Sequence, residues 1–532
     1  MERVMRRCAF ALWAFGSIWT LASGAAQKSI VGYGWEFLET TTEDVHRNRA
    51  KFAATGLDGV ILPVDGKRKD GRMVRGRDLM ATVRFNAADF AATVPLLRDV
   101  TASEGLRESM ALTWLIPPKR LAWDDDAAWK LVAHNMAVIA RVAKKGGLKG
   151  LAIDHEDYYR ARQFNFYPSD PLGTWELARK RGRQVFGAAF TEMPEAKVLS
   201  FWMFSDSGFL WRAFLNGMLD VLPPTAKFVE GTEDYGYQAS AESDGFRRDV
   251  WFQARELRDD VVVPENRVKY DAGLSVSFGM YLDCYINKEN SAYYFPPLNG
   301  SRVARLENNF AGAAHYSDDL IWVYGEKGTF IDWDRKNHPK LQYPTWESQL
   351  PGLSRALRIA SGDGSAIDAE VASGALTNLI ANADCDPVPG KDVPFGFWSR
   401  HGVWKGVFVH EPNEGHAKLG ALKLAGEGCY CLSGGGLVPG EFVYVRAWVK
   451  GGAGSLGYDW QGGRKRYFFI DRGGFFPTGR TENGWREIFA HLRVPKGMDR
   501  IHINLRGLSP TPEHPLFFDD IGIFVKARCE RK

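Results

Sequence analysis

The chain has 532 residues, 45% of them hydrophobic and 25% charged, which is more than one hydrophobic core usually organises, so two folded domains are expected. Its 68 basic and 64 acidic residues nearly balance, which gives no basic surface of the kind that holds nucleic acid. The 18 Trp and the lack of low-complexity tracts exclude a disordered chain and suit a protein that stacks on flat ligand faces.

The first segment stands outside the fold. Arg3, Arg6 and Arg7 precede the apolar run CAFALWAFGSIWTLA and the small residues SGAAQ, the layout of a signal peptide cleaved near Ala25 or Ala26. Residues 1–26 are set aside on that ground; three Arg and one Glu go with them, leaving 65 basic and 63 acidic residues. No later stretch is long and apolar enough to span a bilayer, so a secreted or periplasmic protein with no membrane span is expected. Five cysteines remain, Cys284, Cys385, Cys429, Cys431 and Cys529, and one or two disulfides in the last third fit an oxidising compartment.

Between residues 27 and 361, β-like runs alternate with amphipathic helical ones. SIVGYGWEF, GVILPV, SMALTWL, GLAIDHE, KVLSFWMF, AKFVEG, GLSVSFGMYL and DLIWVYGE read as strands. Segments such as DDDAAWKLVAHNMAVIARVAKKG read as the helices between them. Eight strands with helical crossovers predict an α/β fold, a (β/α)₈ TIM barrel; a doubly wound open sheet is the alternative, disfavoured by the count of eight and by the lack of a glycine-rich phosphate fingerprint after the first strand. Residues 362–374, GDGSAIDAEVASG, read as a linker. From 375 to 532 short alternating strands with Gly and Pro turns predict an all-β sandwich; in EFVYVRAWVKG, Phe442, Tyr444, Arg446 and Trp448 share one face and Val443, Val445, Ala447 and Val449 the other.

A barrel builds its site at the C-terminal ends of its strands. In GLAIDHEDYYR the alternation sets Asp154 and Glu156 with Ala152, opposite Leu151, Ile153 and His155, so both acids are expected at the mouth. KFVEGTEDYGYQ ends a strand at Glu230, with Glu233 and Asp234 read as a solvated turn. In DLIWVYGE, Trp322, Tyr324 and Glu326 share a face, an acid framed by aromatics as a sugar ring requires. Cleaving a glycosidic bond takes two carboxyl groups, one to protonate the leaving oxygen and one to attack or activate water. Asp154 raises the pKa of its neighbour, so Glu156 is the expected proton donor, with Glu230 or Glu326 as nucleophile or base. Asp154, Trp35, Tyr158, Trp202, Tyr235, Trp322 and Tyr324 are the expected substrate contacts, with Trp114 beside them.

The loop DGKRKDGRMVRGRD carries Lys67, Arg68, Lys69, Arg72, Arg75 and Arg77; it reads either as a solvated loop or as a receptor for sulfate or uronate groups. No Gly-x-Ser-x-Gly elbow, Walker loop or His-Glu-x-x-His helix is present, and no cofactor for catalysis is expected.

KGLAIDHEDYY resembles the fourth-strand motif of glycosidase barrels of the chitinase-like clan, in which Asp-x-Glu ends a strand; Gly150 and Ala152 stand where that clan carries further acids. The resemblance implies a TIM-barrel glycoside hydrolase acting on an oligo- or polysaccharide. NLIANADCD, GEFVYVRAWVKG, GWREIFAHLRVP and LFFDDIGIF resemble, in order, the landmarks of CenC-type carbohydrate-binding modules. That likeness implies a jelly roll with a structural calcium near Asp519 and Asp520. Two other readings stay open: a polysaccharide lyase for an acidic glycan, and a glycan-binding protein without catalysis.

Overall fold

A computed structural model describes residues 28–527 apart from 157–161, 166–170, 204–208, 242, 244, 387–388, 390–397, 400–406, 426–428, 452–453, 463–464, 468–474 and 508–512. The expected signal peptide and Tyr158 lie outside the described residues. Residues 29–366 and 367–532 form separate compact units. Among the described residues no helix is long and apolar enough to cross a membrane.

The first unit is built on a curled, all-parallel sheet. Its strands are β1 (Ser29–Gly34), β2 (Gly59–Leu62), β3 (Met110–Trp114), β4 (Gly150–Asp154) and β5 (Lys197–Ser200). They continue with β6 (Lys227–Glu230), β7 (Leu274–Val276), β8 (Gly279–Tyr281) and β9 (Leu320–Gly325), in the order β8-β9-β1-β2-β3-β4-β5-β6-β7. The two edges of this nine-stranded sheet, β7 and β8, are consecutive in the chain with only Ser277 and Phe278 between them. Each of the eight expected strand segments carries at least one of these strands, and GLSVSFGMYL carries two.

Helices connect them for legible reasons. Asp126–Lys145 starts at Asp125, whose carboxylate accepts the Ala128 N–H at 2.9 Å, and ends on Lys144, Lys145 and Gly146. Its apolar face, with Val132, Met136, Ile139 and Val142, is buried.

The alternation of each strand sorts side chains into two layers. One set faces the helices: Phe228 lies 5.5 Å from the Tyr270 ring, and a side chain at Gly32 would meet Leu57 and Phe330. The other set meets across the curl. Tyr33 of β1 stacks on Phe201, which follows β5, at 5.1 Å, and Phe201 stacks on Trp322 of β9 at 4.4 Å. Phe201 comes from four strands away to meet the rings of the adjacent strands β1 and β9.

The end of β1 is clamped to the loop after β9 by one buried acid. Glu36 accepts the Phe330 N–H and the Trp333 indole N–H, each at 2.7 Å. Burial pushes its carboxyl up from 4.5 to about 8, against those two hydrogen bonds.

The stretch expected as a linker is ordered. Gly362, with φ of 79°, ends the helix Leu353–Ser361 in the left-handed region, and the Asp363 carboxylate accepts the Ser365 N–H at 2.9 Å to start the helix Gly364–Ala372. The glycine and the acid are caps, and Ala366, Ala369 and Ala372 favour the helix that follows.

In the second unit a seven-stranded and a five-stranded antiparallel sheet face each other. Val443, Val445, Ala447 and Val449 share a core with Leu456, Ile501, Ile503 and Leu505 of the other sheet. On the opposite face, His416 stacks on Trp448 at 3.7 Å, and Arg446 pairs with Asp368 at 2.6 Å. Trp460 and Trp485 are buried. Cys284 and Cys385 are buried free thiols.

Glu36→Ala strands two buried N–H donors and is expected to cost about 1–3 kcal/mol in denaturant unfolding. Because its folded pKa is raised, Glu36 stabilises fully below about 4.5, and that contribution is lost as pH rises through about 8. Glu36→Gln, which cannot ionise, should flatten this part of the stability profile.

Candidate active site

Strand ends and the loops that follow them gather the chemistry of the first unit. Asp154 closes β4 in register with Trp114 of β3, and its carboxylate accepts the Glu156 N–H at 2.9 Å. Between the two acids, His155 turns the other way. It lies flat on Trp211 of the helix Phe209–Val221 at 3.8 Å, and burial lowers its pKa to about 3, so it is a neutral core residue. His155 thus lies on the helix-facing side, as the alternation predicts.

The opposing acid is Glu233, which leads the short helix Glu233–Gln238 after β6. Burial, then the charges of Glu156 and Asp154, hold its carboxyl well above the usual carboxylate range. The Tyr237 hydroxyl donates to it at 3.1 Å. The Trp202 indole stands near enough to favour the ionised form, without a closed hydrogen bond. Burial also pushes Asp154 up to about 7; the Glu156 N–H opposes this and the Glu156 charge adds to it. Tyr33 sits among the three. Burial raises its hydroxyl first, then Asp154, Glu233 and Glu156 do, with Arg77 opposing them.

Glu230 takes a different position. It shares the helix-facing side of β6 with Phe228 and is 0% exposed. Its carboxylate accepts the backbone N–H of Met203 at 3.1 Å and of Thr232 at 3.0 Å. Those bonds tie the segment carrying Trp202 to the turn that carries Glu233. Thr232 is held in the left-handed region, with φ of 48°, and its hydroxyl donates to Ser277 O at 2.5 Å. Glu230 is thus placed to position Glu233 rather than to meet a ligand at the mouth. The alternation accounts for this: the last strand residue faces outward, and only the loop beyond it turns inward.

A second line of groups runs from β9. Trp322 is buried, donates its indole N–H to Gly231 O at 2.7 Å, and forms the floor with Phe201 and Tyr33. Tyr324 stands above it, donating its hydroxyl to Glu326 at 3.0 Å and accepting the Trp35 indole N–H at 3.0 Å. Tyr237 stacks on Tyr324 at 5.9 Å and on Tyr281 at 4.7 Å. Tyr324 also responds to the charges of both Glu326 and Glu233, so the two acids flank one aromatic wall. The Glu326 N–H donates to buried Asp283 at 2.9 Å. Trp35 and Tyr235 are 45% and 43% exposed and available as platforms.

Of the expected residues, Asp154, Glu156, Glu326, Trp35, Trp202 and Tyr324 come together with Tyr33, Tyr237 and Glu233. In sequence, Glu233 reads as part of a solvated turn, whereas it leads a short helix and is bonded by Tyr237. The signal that identifies it is its i, i+4 spacing from Tyr237 on one short helix.

In the second unit, both Asp519 oxygens accept backbone N–H groups, of His416 at 2.7 Å and of Asp520 at 2.8 Å. That arrangement ties the His416 segment to the strand that carries Asp519. Among the described residues no group of three or more His, Cys, Asp or Glu is disposed to hold a metal.

No family model matches the chain, and no curated protein matches it. Solved structures with some likeness include the enzymatically active domain of tailspike protein 4 of bacteriophage CBA120, at 13% identity over 28% of this chain and 21% of that one, TM-score 0.23. Two modules of endo-1,4-beta-D-xylanase 10B of Clostridium thermocellum are similar at 16% identity over 28% of each chain, TM-score 0.22. A family 16 carbohydrate-binding module is similar at 16% identity over 28% of this chain and 100% of its own length, TM-score 0.20. The chain spans less than a third of the first two, and function rests on the geometry of the site.

Glu156→Gln removes the charge that raises both neighbours, so the titration midpoints of Asp154 and Glu233 should fall; carboxyl ¹³C NMR of the labelled protein measures this.

Proposed function

We propose that this chain is a glycoside hydrolase in which Glu233 protonates the leaving oxygen and Glu156 supplies the opposing carboxylate. The observation that carries the reading is the gathering of Glu233, bonded by the Tyr237 hydroxyl, with Asp154 and Glu156 over an aromatic floor; burial and those two acids raise the Glu233 carboxyl. A general acid must stay protonated at working pH, and a buried carboxyl beside like charges does so. Glu156 is only half-buried, within reach of a substrate, and acts as nucleophile or as base toward water. Asp154 holds the Glu156 backbone and adds to the field that keeps Glu233 protonated. Trp35, Tyr235, Trp202 and Tyr324 stack against or bond to the sugars on either side, and Glu326 bonds to a hydroxyl.

The architecture supports this reading. Ser277 donates its N–H to Glu230 O of β6 at 2.8 Å, and Trp322 of β9 donates to Phe278 O at 3.2 Å. We read β7 and β8 as one interrupted strand bonded on both sides, which makes the curled sheet a closed (β/α)₈ barrel with its mouth at these acids. We read the second unit as a CenC-type jelly roll, and the whole as exported by its N-terminal signal. Within that unit Trp448 stacks on His416 and Arg446 pairs with Asp368.

The lyase alternative has one specific observation behind it, the cation Arg77 beside the hydroxyl of Tyr33. A lyase would need Tyr33 to ionise, and its burial among three carboxylates opposes that, so hydrolysis is the better supported reaction.

Product analysis on a panel of plant and animal polysaccharides is expected to show hydrolysis by the native chain. Glu233→Gln is expected to lower kcat by about 10²–10⁴. Undiminished turnover in that variant would remove Glu233 as the acid.

A further inference from the structure

On the β2 and β3 side of the mouth lies a cation that the proposed hydrolysis leaves unused. Arg77 follows the hairpin Asp65–Lys67 and Met73–Arg75. Its carbonyl accepts the Trp114 N–H at 2.7 Å, and its guanidinium carbon lies 4.3 Å over the Trp114 ring. Nη1 donates to Leu38 O at 3.1 Å. Among the described residues, Nε has no hydrogen-bond partner and no carboxylate lies within ion-pair distance, although Arg77 is only 6% exposed.

A buried guanidinium without a hydrogen-bonded anion is costly, and Asp65 and Asp78 compensate it only through space. Stacked on an aromatic face with Nε unpaired and Nη1 committed to Leu38 O, it keeps donor capacity for a planar carboxylate or a sulfate. Its position is specific: the Trp114 ring under Arg77 belongs to the strand residue in register with Asp154, so the cation borders the acids. Arg75 is close enough to disfavour a second positive charge at Arg77, and Arg75, Lys67 and Lys69 are exposed on the same hairpin. A polyanion approaching a mouth lined by carboxylates is repelled unless cations receive it, and this hairpin places them at its rim.

We propose that Arg77, with Arg75 beside it, forms a subsite for the carboxylate or sulfate of an acidic sugar, so that the substrate is an anionic glycan. This assignment rests on the glycosidase reading of the adjoining acids. Hydrolysis then proceeds between Glu233 and Glu156 while Arg77 fixes the charged substituent of the neighbouring ring.

The test is equilibrium binding of D-glucuronic acid, D-glucose 6-sulfate and D-glucose to the full chain and to Arg77→Lys and Arg75→Ala, with folding checked by thermal melting. The native chain should prefer at least one anionic sugar over glucose by about tenfold or more, as one charge-assisted pair provides. Which of the two it prefers distinguishes carboxylate from sulfate. Arg77→Lys, which keeps the charge and loses the fork, should reduce that preference about tenfold, and Arg75→Ala should reduce it less. Equal binding of all three sugars by the native chain overturns the subsite, as does an unchanged preference in folded Arg77→Lys. Should Arg77→Lys not fold, an unchanged preference in Arg75→Ala overturns it instead. Charge preference without hydrolysis of any glycan would sink the hydrolytic reading and leave the subsite standing; hydrolysis without charge preference does the reverse.

Discussion

The mouth of the first unit is organised by one electrostatic constraint: a carboxyl group has been taken out of water and set opposite two others. Such a group is tolerated only if it stays protonated or is paired with a cation. Glu233 has no cation within ion-pair distance among the described residues; it has Tyr237, Trp202, an aromatic floor and the fields of Glu156 and Asp154. In the proposed reaction, the same cost that makes the arrangement unfavourable for folding serves proton donation. Several other parts follow from holding that group in place. The Glu230 carboxylate, the Trp322 indole and the left-handed Thr232 all pin the short turn before it.

Strand alternation does the sorting. Along β4 and into the loop beyond, Asp154 and Glu156 go to the mouth while Ile153 and His155 go to the helices; along β6 the order is reversed, so the strand-terminal acid is structural and the loop acid is exposed to the site. Burial of acids recurs in the second unit, where Glu487 is enclosed by Thr478, Arg446 and Arg480, and Asp519 by backbone N–H groups. There the partners are direct, and the groups secure the sheet.

Most of the first unit's layout was legible in the sequence because its strands are short, apolar and bounded by amphipathic helices with caps such as Asp125 and Gly146. Asp154 and Glu156 were legible because two acids directly after a buried strand have few inexpensive explanations. Glu233 was not, since Thr-Glu-Asp-Tyr reads locally as a polar turn and its burial comes from Trp202 and Tyr237 folding over it. Glu230 was assigned to the mouth from its place at the strand end; the parity of a strand whose inner face is not yet known leaves that choice open. The division between the two units falls within the stretch read as a linker, and its Gly362 and Asp363 serve as helix caps there.

The most direct measurement is a crystal structure of the Glu233→Gln protein soaked with a cleavable oligosaccharide. A two-carboxylate mechanism places one glycosidic oxygen within hydrogen-bonding distance of residue 233, with the Glu156 carboxylate on the far side of the same sugar ring, the two side chains about 5–9.5 Å apart. Sugar bound with Glu156 and residue 233 on the same side of it, or bound away from both, would contradict the account.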